Sequence, residues 1–378
     1  MSIRVLFSAG GTAGHIHPAL SIAQAILKIV PDAKIAFAGR KKGMEGKIIP
    51  QNGFDFYPIR AMGFPSRPSI KMCKAAREFF AGQKMAAKIL RDYHPTVVVG
   101  TGGYVGGPVI SAAAKQKIPI LLHEQNAFPG RANRFFASKA DVVCTGFPDS
   151  EGVFSKAKKV MYTGNPVRES FFQIDRKQAR NHLGLSENTF FLFVMGGSLG
   201  AESINRTTVE LVKEKMGFPI KVVLVTGEAL YEQWSREISE TFSGEIPDWM
   251  EVKGFIEDPS DYIAASDAFL CRAGALTCAE ITAIGTFPIM IPYPYAAGNH
   301  QMHNADRLEK EGVGVIVEDK NLDKGILKDI MTMLQRDPTR AEKSRIAAKR
   351  MAQRDVAAKV AQEVIALCES TPGESRAK

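Results

Sequence analysis

The sequence predicts an α/β protein of two doubly wound domains, each a parallel sheet flanked by helices. Three observations carry this. Apolar, β-rich runs alternate with helical patterns along the whole chain, which is the mark of βαβ units. Gly-Gly-x-x-Gly occurs three times, each copy just after a short apolar run: Gly10–Gly14, Gly102–Gly106 and Gly196–Gly200. The first and third copies lie 186 residues apart in a chain of 378, and each opens a series of βα units.

Taken in order, the strand runs of the first half are VLFSA, AKIAFAG, TVVVG, IPILLH, DVVCTG and VMYTG. Those of the second half are FFLFVM, IKVVLVTG, MEVKGF, DAFLC, FPIMIPY and VGVIVED. The breaker cluster Gly164-Asn165-Pro166 divides the two series. Domains are therefore expected at 1–163 and 164–350. Residues 351–378 should hold a last helix at Val356–Cys368, packed back on the N-terminal domain, and a frayed tail after Ser370.

Strand, glycine turn and helix together aim bare N–H groups and a helix N-terminus at an anion. Glycine lets the backbone approach a phosphate closely and take positive φ at no steric cost. One such loop could be a plain tight turn. Three in one chain point to more than one phosphorylated group.

Composition narrows the class. The chain is 45% hydrophobic and 24% charged, so it is globular rather than disordered. No apolar run reaches the ~18–20 residues of a membrane span. MSIRVLFSAGG runs directly into a strand and a glycine turn without a signal-peptide layout, so an intracellular protein is expected. Cys73, Cys144, Cys271, Cys278 and Cys368 are scattered without a CxxC pair, and read as reduced thiols.

Lys and Arg number 49 against 40 Asp and Glu. Between Arg60 and Asp92 the excess is local: Arg60, Arg67, Lys71, Lys74, Arg77, Lys84, Lys88 and Arg91 face only Glu78 and Asp92. Met62, Phe64, Ile70, Met72, Phe79, Phe80, Met85 and Ile89 are interleaved. That mixture suits an anionic membrane surface, although an amphipathic helix with a solvated basic face fits it too. No aromatic-rich recognition motif accompanies the charge, so a nucleic-acid partner is not expected.

The order of GGTAGHIHP (Gly10–Pro18), GTGGYVGGP (Gly100–Pro108), HEQN (His123–Asn126), NPVR (Asn165–Arg168), GGSLGA (Gly196–Ala201), RAGALTCAE (Arg272–Glu280) and NHQMHNA resembles the MurG-type glycosyltransferases of peptidoglycan synthesis. HEQN and RAGALT..E are the most specific of these, and the resemblance spans nearly the whole chain. It implies the GT-B fold, two Rossmann-like domains with a cleft between them. It implies inverting, metal-independent transfer of N-acetylglucosamine from UDP-GlcNAc to the muramyl 4-hydroxyl of undecaprenyl-diphosphate-MurNAc-pentapeptide, turning lipid I into lipid II. Peripheral attachment to the cytoplasmic face of the plasma membrane, no cofactor, and cell-wall synthesis and division proteins as partners are further implications. The residues agree on two points. No two Asp are two apart, so the Asp-x-Asp motif common in metal-dependent sugar transferases is missing. Two diphosphates, one on UDP and one on the lipid, fit several glycine loops.

The resemblance gives the N-terminal domain the acceptor. Gly11, Thr12, Gly14, Gly103 and Tyr104 would line the lipid diphosphate and muramyl site, with Thr12, Ala13 and Gly14 of the same loop also serving the donor. His15 opens the following helix, where a neutral imidazole could take the acceptor proton or simply bind phosphate. His17 adds a second imidazole that the family pattern lacks. Glu124, Gln125 and Asn126 follow a strand and sit at the sheet's carboxyl edge. Asn126 would touch the donor sugar. Glu124 is either the alternative base or part of a hydrogen-bond network beneath the loops. In the C-terminal domain Ser198 would donate to phosphate, and the Ile256 amide would read uracil. Ala275, Leu276 and Thr277 would offer helix N-terminal amides to the diphosphate. Glu280 would grip the ribose, or pair with Thr277 as a capping box. Arg168 would neutralise the leaving diphosphate, and Gln301 would bind the donor sugar. The segment YPYAAGNHQMH is one residue longer than the family pattern.

Three other classes fit less well. A transferase acting on diacylglycerol would share the donor domain, but the acceptor motifs favour lipid I. A nicotinamide oxidoreductase needs G-x-G-x-x-G and an acid ending the second strand. Here the first loop lacks its first glycine and that strand ends in Gly39-Arg40. A non-catalytic nucleotide-sugar sensor would leave the first two loops and the basic segment unexplained.

Overall fold

The computed structural model describes residues 3–65, 69–197 and 199–370; Arg67, Ser198 and the tail after Ser370 fall outside them. Two compact units are present. One runs to Pro166 and resumes at Asp355, and the other is Val167–Arg354. The chain leaves the first unit after Pro166 rather than at Gly164 because the breaker residues are still tied to the first sheet. Gly164 N–H donates to Thr145 O at 3.1 Å, and Asn165 Nδ2 donates to Gln125 O at 2.9 Å.

Among the described residues the first unit holds seven parallel strands: β1 (Arg4–Ser8), β2 (Lys34–Gly39), β3 (Asp55–Pro58), β4 (Val97–Gly100), β5 (Ile120–Glu124), β6 (Val142–Thr145) and β7 (Lys159–Tyr162). Their order is β3-β2-β1-β4-β5-β6-β7. The second unit holds β8 (Phe190–Met195), β9 (Ile220–Val225), β10 (Met250–Lys253), β11 (Ala268–Cys271), β12 (Pro288–Met290) and β13 (Val315–Ile316). Their order, β10-β9-β8-β11-β12-β13, repeats that of the first unit from its first strand onward. Each sheet therefore reverses its winding once, between β1 and β4 and between β8 and β11. Such switch points are where open α/β sheets bind ligands.

Central strands are apolar on both faces because helices cover both. Val5, Leu6 and Phe7 are fully buried, as are Leu192, Phe193 and Val194. Burying each such side chain contributes about 1.5–3 kcal/mol. One strand escaped the sequence reading. β3 is an edge strand of half-buried and exposed residues containing Asp55 and Pro58, so it presents no apolar run. Its final proline is tolerated because an edge leaves one side of the ladder unpaired. The last helix, Val356–Glu369, inserts Val360, Ala361 and Val364 into the same core as β1 and the helix Ala13–Ile29.

The basic segment forms the helix Ile70–Tyr93. Ala75, Gly82, Ala86, Leu90 and Tyr93 face inward, and Phe79 and Ile89 also pack toward the core. The opposite stripe exposes Ile70, Lys74, Arg77, Phe80, Lys84, Lys88 and Arg91. Glu78, one of the segment's two acids, is paired to Arg60 through two hydrogen bonds. No described helix is long and apolar enough to cross a membrane.

Candidate active site

In the first unit both glycine loops leave strands that flank the switch point. Gly11 has φ +89°, and Gly102 and Gly103 have φ +100° and +80°, values that only glycine takes cheaply. The loops press together: a Cβ on Gly103 would lie 2.2 Å from Gly10 O. The helix Ala13–Ile29 starts directly after Thr12, so Ala13 and Gly14 supply first-turn amides without helical partners.

Sequence reasoning missed the group beneath this loop. Glu45 is fully buried and accepts from Gly11 N at 3.3 Å and from Arg40 N at 3.1 Å. A Cβ on Gly10, Gly39 or Gly43 would strike its side chain. The Gly11 amide, expected to face the acceptor diphosphate, is thus already bonded to a carboxylate. An acid does reach the end of β2 after all, from six residues along the chain. The signal was the glycine-flanked acid in Gly43-Met44-Glu45-Gly46. Arg40 also donates to the Tyr104 hydroxyl, and the Tyr104 ring lies against Gly11.

His15 sits in the first helical turn with its ring against the second loop. A Cβ on Gly102 would lie 2.9 Å from its Nδ1, and one on Gly103 3.2 Å from its Cδ2. Thr101 Oγ1 donates to His15 O at 2.7 Å, tying that turn to β4. His15 Nδ1 lies 3.0 Å from Gln125 Oε1. His17 is exposed and two residues further on, so it points to another side of the helix.

Glu124 ends β5 and is 1% exposed. Its Oε1 accepts from Asn126 N and Asn126 Nδ2, and its Oε2 from Gly130 N and Asn133 Nδ2, at 2.9–3.1 Å. Four donors on a buried carboxylate are the geometry of a loop anchor, not of a base waiting for a proton. Asn126 is held by this anchor.

In the second unit the loop after β8 carries Gly197 at φ +98° and Gly200 at φ +75°, and a Cβ on Gly200 would meet Thr226 O at 1.9 Å. Ser198, expected to donate from this loop, lies outside the described residues. The helix Ala275–Ile284 follows β11 with Gly274 as N-cap, so Ala275, Leu276 and Thr277 are its first three residues. Thr277 is therefore inside the helix, which rules out the capping-box reading of Glu280. Glu280 lies one turn further on, half-buried. Burial pushes its carboxyl up to about 7, with Arg168 acting in the opposite direction and Asp258 adding to the rise. Arg168 donates to Glu257 O at 2.9 Å and stacks over Phe171, beside the loop that carries Ile256. Gln301 occupies the first turn of the helix His300–Lys310, and its Oε1 accepts from Tyr293 N at 2.9 Å. Buried Asn304 of the same helix holds Ala273 O at 3.1 Å, fixing the loop that launches Ala275–Ile284.

Thr12, Ala13, Gly14 and Asn126 thus belong to the first unit, and the other described donor candidates to the second. Two sheets of this order, with glycine or helix N-terminal loops at both switch points, place the chain in the GT-B fold class. The glycosyltransferase family 28 N-terminal domain matches residues 5–145 and its C-terminal domain residues 191–360. A UDP-N-acetylglucosamine--N-acetylmuramyl-(pentapeptide) pyrophosphoryl-undecaprenol N-acetylglucosamine transferase of Caldanaerobacter subterraneus subsp. tengcongensis is 41% identical, over 96% of this chain and 99% of the relative. An enzyme of the same name from Acetivibrio thermocellus is 41% identical over 89% and 90%. The crystal structure of Acinetobacter baumannii MurG superposes with a TM-score of 0.78 at 25% identity, covering 96% of this chain and 99% of that one. The chain belongs to the MurG-type N-acetylglucosamine transferases of glycosyltransferase family 28.

Proposed function

We propose that this chain transfers N-acetylglucosamine from UDP-GlcNAc to the muramyl 4-hydroxyl of undecaprenyl-diphosphate-MurNAc-pentapeptide, with inversion and without a metal ion. The first unit takes the acceptor and the second the donor. The acceptor hydroxyl attacks the anomeric carbon as its proton passes to His15. The bond to UDP breaks in the same displacement, which inverts the centre. The charge that grows on the diphosphate falls to the N-terminal amides of Ala275–Ile284, to the Gly196–Gly200 loop and to Arg168. Glu280 accepts from the ribose hydroxyls, Ile256 reads the uracil edge, and Gln301 and Asn126 orient the sugar. The observation that carries the reading is His15: a first-turn imidazole that follows one glycine loop and lies against the other at a switch point.

The test is incubation with UDP-[labelled GlcNAc] and a lipid I analogue, with and without EDTA. Labelled lipid product in both conditions is expected. Loss of most activity in EDTA, restored by Mg²⁺ or Mn²⁺, overturns metal independence, and no transfer to the analogue overturns the acceptor.

The exposed stripe of Ile70–Tyr93 supports peripheral attachment to an anionic membrane on the cytoplasmic side. Each basic residue near such a surface adds about 1 kcal/mol, screened by salt. A protein that ignores anionic vesicles at low salt would refute this assignment.

A further inference from the structure

A chain of hydrogen bonds runs from an atom that can only accept to the ring of His15. The Gly164 carbonyl oxygen lies 3.2 Å from His123 Nε2, so that nitrogen carries a hydrogen. His123 is fully buried, and burial pushes it down to about 4. Its ring is then neutral and Nδ1 holds a lone pair. Gln125 Nε2 lies 2.9 Å from that Nδ1 and 3.1 Å from the His123 carbonyl oxygen. Both partners are acceptors, so the Gln125 amide presents its NH₂ group to them. The opposite orientation would set the amide oxygen against two acceptors and leave buried groups unpaired, a costly arrangement. Gln125 Oε1 therefore faces His15 Nδ1, 3.0 Å away, and an amide oxygen can only accept. Gln125 is 2% exposed, and its backbone carbonyl accepts from Asn165 Nδ2, which holds the residue in place.

We propose that Gly164, His123 and Gln125 form a tautomer lock, which keeps the hydrogen of neutral His15 on Nδ1 and its lone pair on Nε2. The tautomer of an imidazole is set by the hydrogen bond its other nitrogen makes. In water a neutral imidazole side chain prefers hydrogen on Nε2, the form unable to accept a proton there. The lock reverses that preference before substrate arrives. His123 and Gln125 are positioning residues, and the catalytic consequence rests on the reading of His15 as base. The lock also assigns the first and third residues of His-Glu-Gln-Asn one task and the second and fourth another. Side chains at i and i+2 of an extended segment share a face. His123 and Gln125 meet one another, while Glu124 anchors the turn through Asn126.

The test is ¹⁵N NMR of the full chain labelled at its histidine ring nitrogens, with His15→Ala identifying the His15 signals. In its neutral form His15 should show a protonated-type Nδ1 and an unprotonated-type Nε2. His123 should show the reverse. In Gln125→Met, His15 should move toward the Nε2–H form, and kcat should fall on the order of tenfold or more while the KM for UDP-GlcNAc stays within about twofold. Finding His15 as the Nε2–H tautomer in the unaltered chain overturns the lock, as does a His15 pattern unchanged in folded Gln125→Met. The spectrum of the unaltered chain decides the matter even if that variant does not fold. If the ring pattern is as expected but His15→Ala costs less than about fivefold, the lock stands and the base reading falls.

Discussion

The two units share a strand order yet treat their glycine loops differently. In the first unit the loops are backed by buried side chains. Glu45 takes the Gly11 amide, Glu124 gathers four donors, and His15 is held through Gln125. In the second unit the parts proposed to meet the donor are backbone: a helix N-terminus with Gly274 as N-cap and the turn of Gly197 and Gly200. Arg168 and Glu280 act on one another electrostatically beside this helix. Bare amides suit a diphosphate that needs only charge compensation. A reacting hydroxyl needs a group fixed in position and protonation, and that takes a supporting network. On the proposed reading, the difference separates a unit that positions the reacting group from one that binds the donor.

The largest expected break in that division is at His15. His15→Ala should lower turnover by about 10²–10⁴-fold, the usual worth of a general base, with UDP-GlcNAc binding nearly untouched. A loss confined to the acceptor KM would make His15 a substrate ligand instead.

Glu280→Ala should do the opposite, weakening UDP-GlcNAc binding by about 1.5–3 kcal/mol while leaving the acceptor KM alone. Calorimetry on the folded variant measures this directly, and unchanged donor affinity removes Glu280 from the ribose. Glu280 also makes stability depend on pH. Its folded value of about 7 lies above the ordinary 4.5. The free chain therefore loses stability as pH rises through that window, by up to about 3 kcal/mol in all, and the loss is complete above about pH 7. Glu280→Gln should raise Tm at pH 8 and leave it unchanged near pH 4. Equal shifts at both values would show that the carboxyl is not held protonated by its surroundings.

Glu45→Gln should destabilise the first unit by about 1–3 kcal/mol, because an amide cannot accept from both Gly11 and Arg40. Acceptor turnover should fall with it and donor affinity should not. The smallest effect is expected on the surface. Lys84→Gln should weaken binding to anionic vesicles by about 1 kcal/mol at low salt, with no change in turnover of a water-soluble acceptor analogue. A variant that binds vesicles as well as the unaltered chain would shift the membrane contact elsewhere on the helix.

The sequence by itself determined the architecture and marked the loops that leave the switch-point strands. Twelve β-rich runs mark twelve of the thirteen strands among the described residues, most clearly the central ones, since a strand covered on both faces must be apolar throughout. Glycines mark the loops, because positive φ and backbone contact allow nothing else there cheaply. Only the tertiary structure decided what each polar residue does. Glu45 reaches Gly11 across 34 positions, His15 reaches Gln125 across 110, and Gly164 reaches His123 across 41. Local spacing carries no trace of such partners. Whether Glu124 anchors or reacts, and whether Glu280 caps a helix or stands half-buried and raised, depends on burial and on the donors that surround it. Those are properties of the packed sheet, set by contacts that the linear order of residues does not contain.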